Sequence, residues 1–323
     1  MARERTAVVR WTGRGKLADL RSSLGFVLKE NGVHAHVWSL GKSLVVEGAE
    51  PMGAAALVDH MPGIAWIAAG ETVGSDRELA VASGEIARKF LRKGGKFRVK
   101  AEGTGRVAGA DLSGMVTSRI LDGVKGARVS EDGARVTFRA AFDGSKGVVG
   151  VEVREGSGGV PTGRNAAVCL VSGGMHSSVL AWMAALMGYR VHLVHAKLDE
   201  ESLMAVARLY SELSHRADPR SLGLEVLEGD CAVESLAKFA SGADDPVFGG
   251  FSGEGGELPE RLFGIVQAPL YLMPEEMFEA EFRSLAIKEY RFRTDWKAKG
   301  NGTYTARRFG GVMSDVSGVL DGL

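Results

Sequence analysis

Residues 166–178 read AAVCLVSGGMHSS, and this stretch decides the fold of the second half of the chain. Residues 167–171 are apolar throughout, as expected of a parallel strand that is buried on both faces. Ser172, Gly173 and Gly174 follow as a turn, and residues 178–187 have the composition and spacing of a helix. The stretch therefore predicts a buried strand, a tight turn and a helix.

The segments that follow repeat this rhythm. Residues 190–195 and 224–227 are predicted strands, and residues 200–214 are a predicted helix between them. A βαβαβ order favours a doubly wound parallel sheet. Further on, the pattern predicts a loop, a late strand and a helix, in the order 240–260, 267–272 and 274–290. The tail from residue 291 has no clear period.

The first 75 residues predict a different arrangement. Apolar periodicity and glycine turns give strand, helix, hairpin, helix and strand over 6–11, 16–31, 33–37 with 43–47, 51–61 and 64–68. This β-α-β-β-α-β order is ferredoxin-like. A new unit begins near residue 78, with predicted helices at 79–91 and 112–121 and strands at 96–101, 135–142 and 148–153. The glycine-rich residues 156–163 are predicted to be a hinge or linker.

Composition excludes several classes of protein. With 45% hydrophobic and 25% charged residues among 323, the chain is neither disordered nor fibrous. No apolar run approaches the roughly 20 residues that cross a bilayer, and the start carries no secretory signal, so we expect a cytoplasmic protein without membrane contact. Two cysteines exclude a disulfide scaffold. One Gln and three Asn fit a thermophilic source, or a GC-rich genome.

The formal net charge is zero, but the charge is unevenly distributed. Residues 88–106 hold eight basic residues and one acid, and residues 288–308 hold seven basic residues and two acids. Such clusters are either solvated surface or a binding face for a polyanion such as nucleic acid.

The turn after the first buried strand has the chemistry of an anion site. Gly173 and Gly174 allow a tight bend that brings backbone N–H groups close to a ligand. The N-terminus of the next helix adds unpaired donors and the positive end of a dipole. The alternative is that these glycines serve packing alone.

The motif Ser172-Gly173-Gly174-Met175-His176-Ser177 resembles the PP-loop, Ser-Gly-Gly-x-Asp-Ser, of ATP pyrophosphatases. The surroundings resemble those of the tRNA 4-thiouridine synthetases, the ThiI family. The likeness runs over residues 5–290 and includes the segments 61–64, 158–163, 190–193 and 269–271.

The resemblance implies a domain order and an activity. It implies a ferredoxin-like domain (1–75), a THUMP RNA-binding domain (76–163), a PP-loop nucleotide-binding domain (164–290) and a basic C-terminal extension (291–323). In that family the THUMP domain holds tRNA, and the PP-loop domain uses ATP to adenylate a uridine carbonyl oxygen before sulfur displaces AMP. ATP and Mg²⁺ are the implied cofactors, tRNA is the implied partner, and a homodimer is compatible with the likeness.

The resemblance also assigns residues. ATP contacts are implied for Ser172, Gly173, Gly174, His176, Ser177, His195, Ala196, Lys197, Gly253 and Glu254. The basic residues implied to contact tRNA phosphates are Lys89, Arg92, Lys93, Lys96, Arg98 and Lys100. No catalytic residue and no metal ligand is assigned.

Three departures from the family bear on activity. His176 stands where the PP-loop has an aspartate, and a neutral imidazole suits Mg²⁺ poorly. The stretch between Asp230 and Phe248 is short and predicts the loss of a helix that walls the nucleotide pocket. Cys169 lies in a predicted core strand and Cys231 lies near acids, so neither is expected to carry sulfur, which a partner protein or sulfide would then supply.

Two main functions are therefore compatible with the sequence, and another PP-loop chemistry, such as amidation or a different sulfur transfer, is a weaker third. One is ATP-dependent thiolation of a tRNA uridine, and the other is a non-catalytic tRNA-binding paralogue with a degenerate nucleotide site. The remaining histidines show no metal-ligand spacing, and Trp11, Trp38, Trp66 and Trp182 are expected in the core. Trp296 in the basic tail is the better candidate for stacking on a base.

Overall fold

The computed structural model describes residues 3–103, 109–197, 199–229, 232–249, 266–271 and 304–310. The chain divides into two compact units, Met1–Gly159 and Val160–Leu323. Among the described helices none is both long and apolar enough to span a bilayer.

The first unit is built on a single sheet. Its strands are β1 (Arg5–Trp11), β2 (His36–Leu40), β3 (Ser43–Glu47), β4 (Ile64–Val73), β5 (Lys96–Gly103), β6 (Arg128–Val129), β7 (Val136–Phe142) and β8 (Gly147–Gly158). Its helices are α1 (Leu17–Glu30), α2 (Pro51–Val58), α3 (Asp76–Phe90) and α4 (Gly109–Gly123). The strand order is β2-β3-β1-β4-β8-β7-β5-β6.

The first four strands and two helices have the predicted ferredoxin-like connectivity, because β1 lies between β3 and β4 and pairs antiparallel with both. The sheet then continues without interruption, since β4 pairs antiparallel with β8 over its whole length. Both halves of the first unit therefore share one sheet. The predicted domain division near residue 75 stays a prediction.

Alternating strand residues give the sheet two different faces. On one face, Val9 and Ile67 pack with α1 and α2, and Phe97 and Phe138 pack with α3 and α4. The buried residues of the other face come from strands alone: Val8, Leu40, Val45, Ala68 and Val148. We call this second surface the helix-free face.

The second unit has helices on both sides of its sheet. Its elements are β9 (Ala166–Leu170), α5 (Met175–Leu186), β10 (Arg190–Ala196), α6 (Glu200–Arg216), a 3-10 turn (Pro219–Ser221), β11 (Leu222–Gly229), α7 (Ala232–Ser241), β12 (Val247–Gly249), β13 (Leu270–Tyr271) and β14 (Tyr304–Gly310). One core contains residues of α5 and α6, and the opposite core contains residues of α7. The predicted doubly wound α/β fold is confirmed.

The strand order of this sheet is β13-β12-β9-β10-β11-β14. Among the strands that the structure describes in this sheet, the five from β13 to β11 are parallel, and β14 runs antiparallel beside β11. From β9 the chain adds β10 and β11 on one side and then β12 and β13 on the other, so the direction in which strands are added reverses between β9 and β12. In open α/β sheets, ligands bind beyond the carboxyl ends of the strands at such a switch point.

Helix α7 lies in the short stretch between Asp230 and Phe248, and the predicted loss of a helix there relative to the family stays a prediction. Two other sequence predictions were wrong. Strand β12 falls in the predicted loop 240–260. Strand β8 runs to Gly158, into the predicted linker 156–163. The tail that showed no period supplies β14. The helix predicted at 274–290 lies outside the described residues.

Candidate functional site

The turn after β9 lies at the switch point of the second sheet. Leu170 ends the strand, with β10 on one side and β12 on the other. The backbone N–H of Val171 donates to the carbonyl of Val194 at 2.9 Å, which continues the ladder by one residue. The loop 172–174 therefore begins at the carboxyl edge of the sheet, where a ligand is expected.

Gly173 makes the bend of this loop. Its φ of +81° lies in the left-handed region, which a side chain disfavours. A Cβ at this position would lie 2.8 Å from the Cβ of Ala205 and 3.2 Å from the carbonyl oxygen of Ser202. The loop thus rests directly on the first turns of α6, and only glycine fits there without displacement.

Serine hydroxyl groups hold the loop from within. The N–H of Ser172 donates to Oγ of Ser177 at 3.2 Å, and the N–H of Gly174 contacts Oγ of Ser172 at 3.3 Å. In return, Oγ of Ser177 and Oγ of Ser178 donate to the carbonyl of Gly174, at 3.2 and 2.8 Å. Ser177 and Ser178 are buried, so these two side chains hold the loop backbone from the protein interior.

The N-terminus of α5 is suited to an anion. Its N-cap residue, Gly174, offers no side-chain cap, and the first turn contains no acid. The first N–H groups of a helix have no partner inside the helix, and the dipole gives this end a partial positive charge. His176, the second residue of α5, is partly exposed and adds an imidazole to the same turn.

The residues at the end of β10 divide into a buried and an exposed part. His195 and Ala196 are buried, at 0% and 2% exposure. Burial lowers the pKa of His195 to about 4, so the ring is neutral near pH 7. Lys197 keeps its ammonium at the surface, where it pairs with Glu200. The side chain of His195 is thus buried and that of Lys197 is partly exposed, and the predicted contact of residues 195–197 with an adenine stays a prediction.

The other predicted ATP contacts, Gly253 and Glu254, lie outside the described residues, as does Cys231. Within the part of the chain that the structure describes, no group of three His, Cys, Asp or Glu side chains could hold a metal ion. Cys169 is a free, buried thiol of the core, as expected, and burial raises its pKa well above the usual value.

The structure separates the six predicted RNA contacts into two groups. Lys89, Arg92 and Lys93 lie at the end of α3 and in the connection to β5, and all three are exposed. Lys96, Arg98 and Lys100 alternate along β5, which places them on one face of the strand. Arg98 donates to Oγ1 of Thr137 on β7, and Lys89 lies 3.9 Å from Glu71.

The sequence did not single out the other basic residues beside the first group. The N–H of Gly94 bonds to the carbonyl of Lys125, and the N–H groups of Arg128 and Arg135 bond to the carbonyls of Gly95 and Lys96. These bonds bring Lys125, Arg128 and Arg135, all exposed, next to Arg92 and Lys93. We call these five residues the basic end of the first unit. The sequence analysis missed Lys125, Arg128 and Arg135 because backbone hydrogen bonds between segments distant in the sequence bring them to this surface.

The helix-free face carries a second set of cations. Arg10, Trp66, Lys100 and Arg139 line a shallow recess. The guanidinium of Arg139 lies 4.1 Å from the centre of the Trp66 ring and bonds to Glu152 at 2.6 Å, while Arg10 pairs with Glu102. Two of these cations are therefore neutralised locally, and Lys100 is in no ion pair among the residues described.

The tryptophan predictions have mixed outcomes. Trp182 is buried in the core of the second unit, whereas Trp11, Trp38 and Trp66 are only partly buried. Nζ of Lys146 lies 5.5 Å from the centre of the Trp38 ring. Trp296 lies outside the described residues, so its stacking role stays a prediction.

Comparisons with known proteins agree with this architecture. No protein-family model matches the chain. A stretch of 64 residues is 42% identical to the "Probable tRNA sulfurtransferase" of Methanocaldococcus jannaschii; it covers 20% of this chain and only 17% of that protein's length.

Two solved structures share the fold over most of their length. PH1313 from Pyrococcus horikoshii matches with a TM-score of 0.70 and 19% identity, over 88% of this chain and 100% of its own. A 4-thiouridine synthetase, solved with RNA and bound ATP, matches with a TM-score of 0.68 and 17% identity, over 89% of this chain and 87% of its own. The chain is thus an α/β protein with the fold of these two structures.

Proposed function

We propose that this chain is a tRNA-binding protein of the 4-thiouridine synthetase type, which binds ATP at the loop 172–177 and uses it to thiolate a uridine. The observation that carries the proposal is the position of this loop. It bends at Gly173, lies at the switch point of a doubly wound sheet, and leads into a helix N-terminus without a side-chain cap. The shared fold with a synthetase that binds RNA and ATP supports it.

The loop fits the phosphates of ATP better than any other part of the nucleotide. Its N–H groups and the dipole of α5 stabilise negative charge. His176 extends the site, because its partly exposed imidazole adds a ring N–H donor to the first turn of α5. Ser172 and Ser177 fix the backbone of the bend through their hydrogen bonds to the N–H groups of Ser172 and Gly174 and to the carbonyl of Gly174.

The loop does not supply a site for Mg²⁺ by itself. The first turn of α5 holds no carboxylate, and Mg²⁺ prefers oxygen ligands. The described residues at the loop would therefore bind the nucleotide phosphates through N–H donors.

The first unit would hold the RNA. The basic end of this unit presents Lys125, Arg128 and Arg135 beside Arg92 and Lys93, and none of these five is in an ion pair among the residues described. Lysine and arginine at a surface neutralise phosphates without reading the sequence of the bases. This unit would therefore position the tRNA without reading its bases. The shape of the tRNA would then decide which uridine is modified.

The proposed chemistry solves a leaving-group problem. A carbonyl oxygen of uridine is a poor leaving group, so it first attacks the α-phosphorus of ATP and releases pyrophosphate. The resulting adenylate is then displaced by sulfur, and AMP leaves with the oxygen. Sulfide, or a donor protein that delivers sulfur at the oxidation level of sulfide, would supply the sulfur, since Cys169, the cysteine among the described residues, is buried.

The test is a thiolation assay on the full chain. The protein is incubated with Mg-ATP, sulfide and unmodified tRNA, and 4-thiouridine is measured by mass spectrometry of the digested RNA. We expect thiolation by the unmodified chain and a loss of about tenfold or more in Ser177→Ala, since that hydroxyl shapes the loop. Ser214→Ala is the matched control, because Ser214 is also buried and bonds within α6, at the carbonyl of Ser211.

Binding assays separate the two functions that the sequence allows. Binding of both ATP and tRNA without 4-thiouridine, alongside an active synthetase, would contradict thiolation. Binding of tRNA without ATP would instead establish the non-catalytic paralogue. A His176→Asp variant that gains adenylation would point to the same conclusion.

A further inference from the structure

His195 is a buried histidine that the proposed chemistry does not use. Its side chain has no exposed surface, and its Nδ1 lies 2.9 Å from the carbonyl oxygen of Val171. Because a carbonyl only accepts, Nδ1 must carry the proton and donate. In the neutral ring Nε2 carries no proton. Oγ of Ser202 lies 3.4 Å from it and donates its own proton to the carbonyl of Asp199 at 2.9 Å, so the ring and Ser202 are in close polar contact.

The two neighbours of this ring belong to the two parts that shape the loop. Val171 is the residue immediately before Ser172, where the loop begins. Ser202 is in the first turn of α6, and its hydroxyl also takes part in the capping box with Asp199. The same turn forms the surface on which Gly173 rests, since the carbonyl of Ser202 would lie 3.2 Å from a Cβ at Gly173.

The protonation state of the ring suits this position. Burial lowers the pKa of His195 and the ammonium of Lys197 lowers it further, whereas the hydrogen bond to the carbonyl of Val171 raises it. The carboxylate of Asp199, two residues after Lys197, bonds to the N–H of Ser202. The ring thus stays neutral, with one donor and one acceptor on opposite edges.

We propose that His195 is a positioning residue, which fixes the start of the loop against the first turn of α6 and so keeps the Gly173 bend in its anion-binding shape. This inference rests on the proposed function for its ligand readout, but not for its structural one. It predicts an effect on the loop through Val171, with no contact between the ring and the ligand.

The experiment compares two variants with a core control. His195→Asn keeps an amide nitrogen near the place of Nδ1, and His195→Leu removes both polar edges. Leu224→Ala is the control, because Leu224 is equally buried in the same unit but lies on β11. The readouts are amide hydrogen exchange of residues 172–177, the affinity for Mg-ATP, and the ¹⁵N spectrum of the histidine ring in the unmodified protein.

We expect His195→Leu to speed exchange in the loop and to weaken Mg-ATP binding by about tenfold or more, and His195→Asn to restore much of both. Leu224→Ala should lower the melting temperature without either effect. In the unmodified protein the ring should be the Nδ1–H tautomer and stay neutral at pH 6.

Three results would overturn the inference. They are an Nε2–H tautomer or a charged ring at pH 6, unchanged loop exchange in a folded His195→Leu variant, and an equal effect of Leu224→Ala. If the unmodified protein fails to bind Mg-ATP, the proposed function fails, and loop exchange and the ring spectrum still decide the role of His195. The ring spectrum decides it as well if the leucine variant does not fold.

Discussion

Gly173 lies so close to Ala205 of α6 that a Cβ on Gly173 would be 2.8 Å from the Cβ of Ala205. Gly173→Ala should therefore lower the free energy of unfolding by about 1–3 kcal/mol, from positive φ and the close contact together. Urea unfolding measures this change. Ala205→Gly should recover the part due to the contact and leave the part due to φ.

The control for this substitution is Gly114→Ala in α4. Nothing lies within 4 Å of a Cβ at Gly114, and its φ is that of an ordinary residue. We expect it to be neutral or to stabilise the chain by up to about 1 kcal/mol. A loss at Gly114 as large as the loss at Gly173 would argue against the reading of the loop.

His195 should make the stability of the second unit depend on pH. The folded-state pKa is lowered to about 4 from 6.5, so between these values the unfolded chain binds a proton that the folded chain does not. Stability should rise with pH across this window and fall by about 3 kcal/mol as pH drops from 6.5 to 4. Carboxylates titrate in the same range, so the informative quantity is the difference from His195→Asn, which should show a shallower slope.

Arg139 should contribute more to stability than its position near the surface suggests. It stacks on Trp66 and bonds to Glu152, and its side chain is only 16% exposed. Arg139→Ala should cost about 1–3 kcal/mol in thermal or urea unfolding. Lys146→Ala, which removes an exposed cation 5.5 Å from the Trp38 ring, should cost less than about 0.5 kcal/mol. Equal losses would contradict a specific role for the Arg139 contacts.

The basic end of the first unit should dominate the salt dependence of RNA binding. Arg92→Glu with Lys93→Glu should weaken tRNA binding at least tenfold and lower the slope of log K against log salt by about 2. Fluorescence anisotropy at several salt concentrations measures both. Lys42→Glu, at an exposed turn of the same unit, is the control and should leave the slope nearly unchanged.

Cys169 should be inert toward alkylating reagents until the second unit unfolds. Burial raises the pKa of its thiol and leaves about 1% of the residue exposed. A Cys231→Ser variant isolates the Cys169 signal, and mass spectrometry after iodoacetamide treatment should show labelling only in denaturant. Rapid labelling of the native protein would show that the thiol is accessible to a sulfur donor.

Local patterns in the sequence were enough to predict most helices and strands and the doubly wound sheet. The apolar runs of β9 and β10 bury both faces, and such runs are visible without tertiary information. Strand β12 was missed because it has only three residues, and β14 was missed because its pairing with β11 connects distant parts of the chain.

The candidate site was predictable in its backbone and less so in its side chains. The glycines of the loop follow directly from the motif. The motif gave no sign that the ring of His195 turns inward, because that depends on packing against Val171 and α6. Similarly, a count of charges located Arg92 and Lys93 but not Arg128 and Arg135, which reach the same surface through backbone pairing.

The antiparallel strand β14 has a consequence for how the protein is made. A ribosome synthesises β11 long before β14, so the nascent second unit exposes an unsatisfied row of N–H and C=O groups along β11 in the meantime. Such an edge invites pairing with neighbouring chains. Biosynthesis of this protein therefore includes an interval of aggregation risk that ends only when residues 304–310 emerge and cover β11.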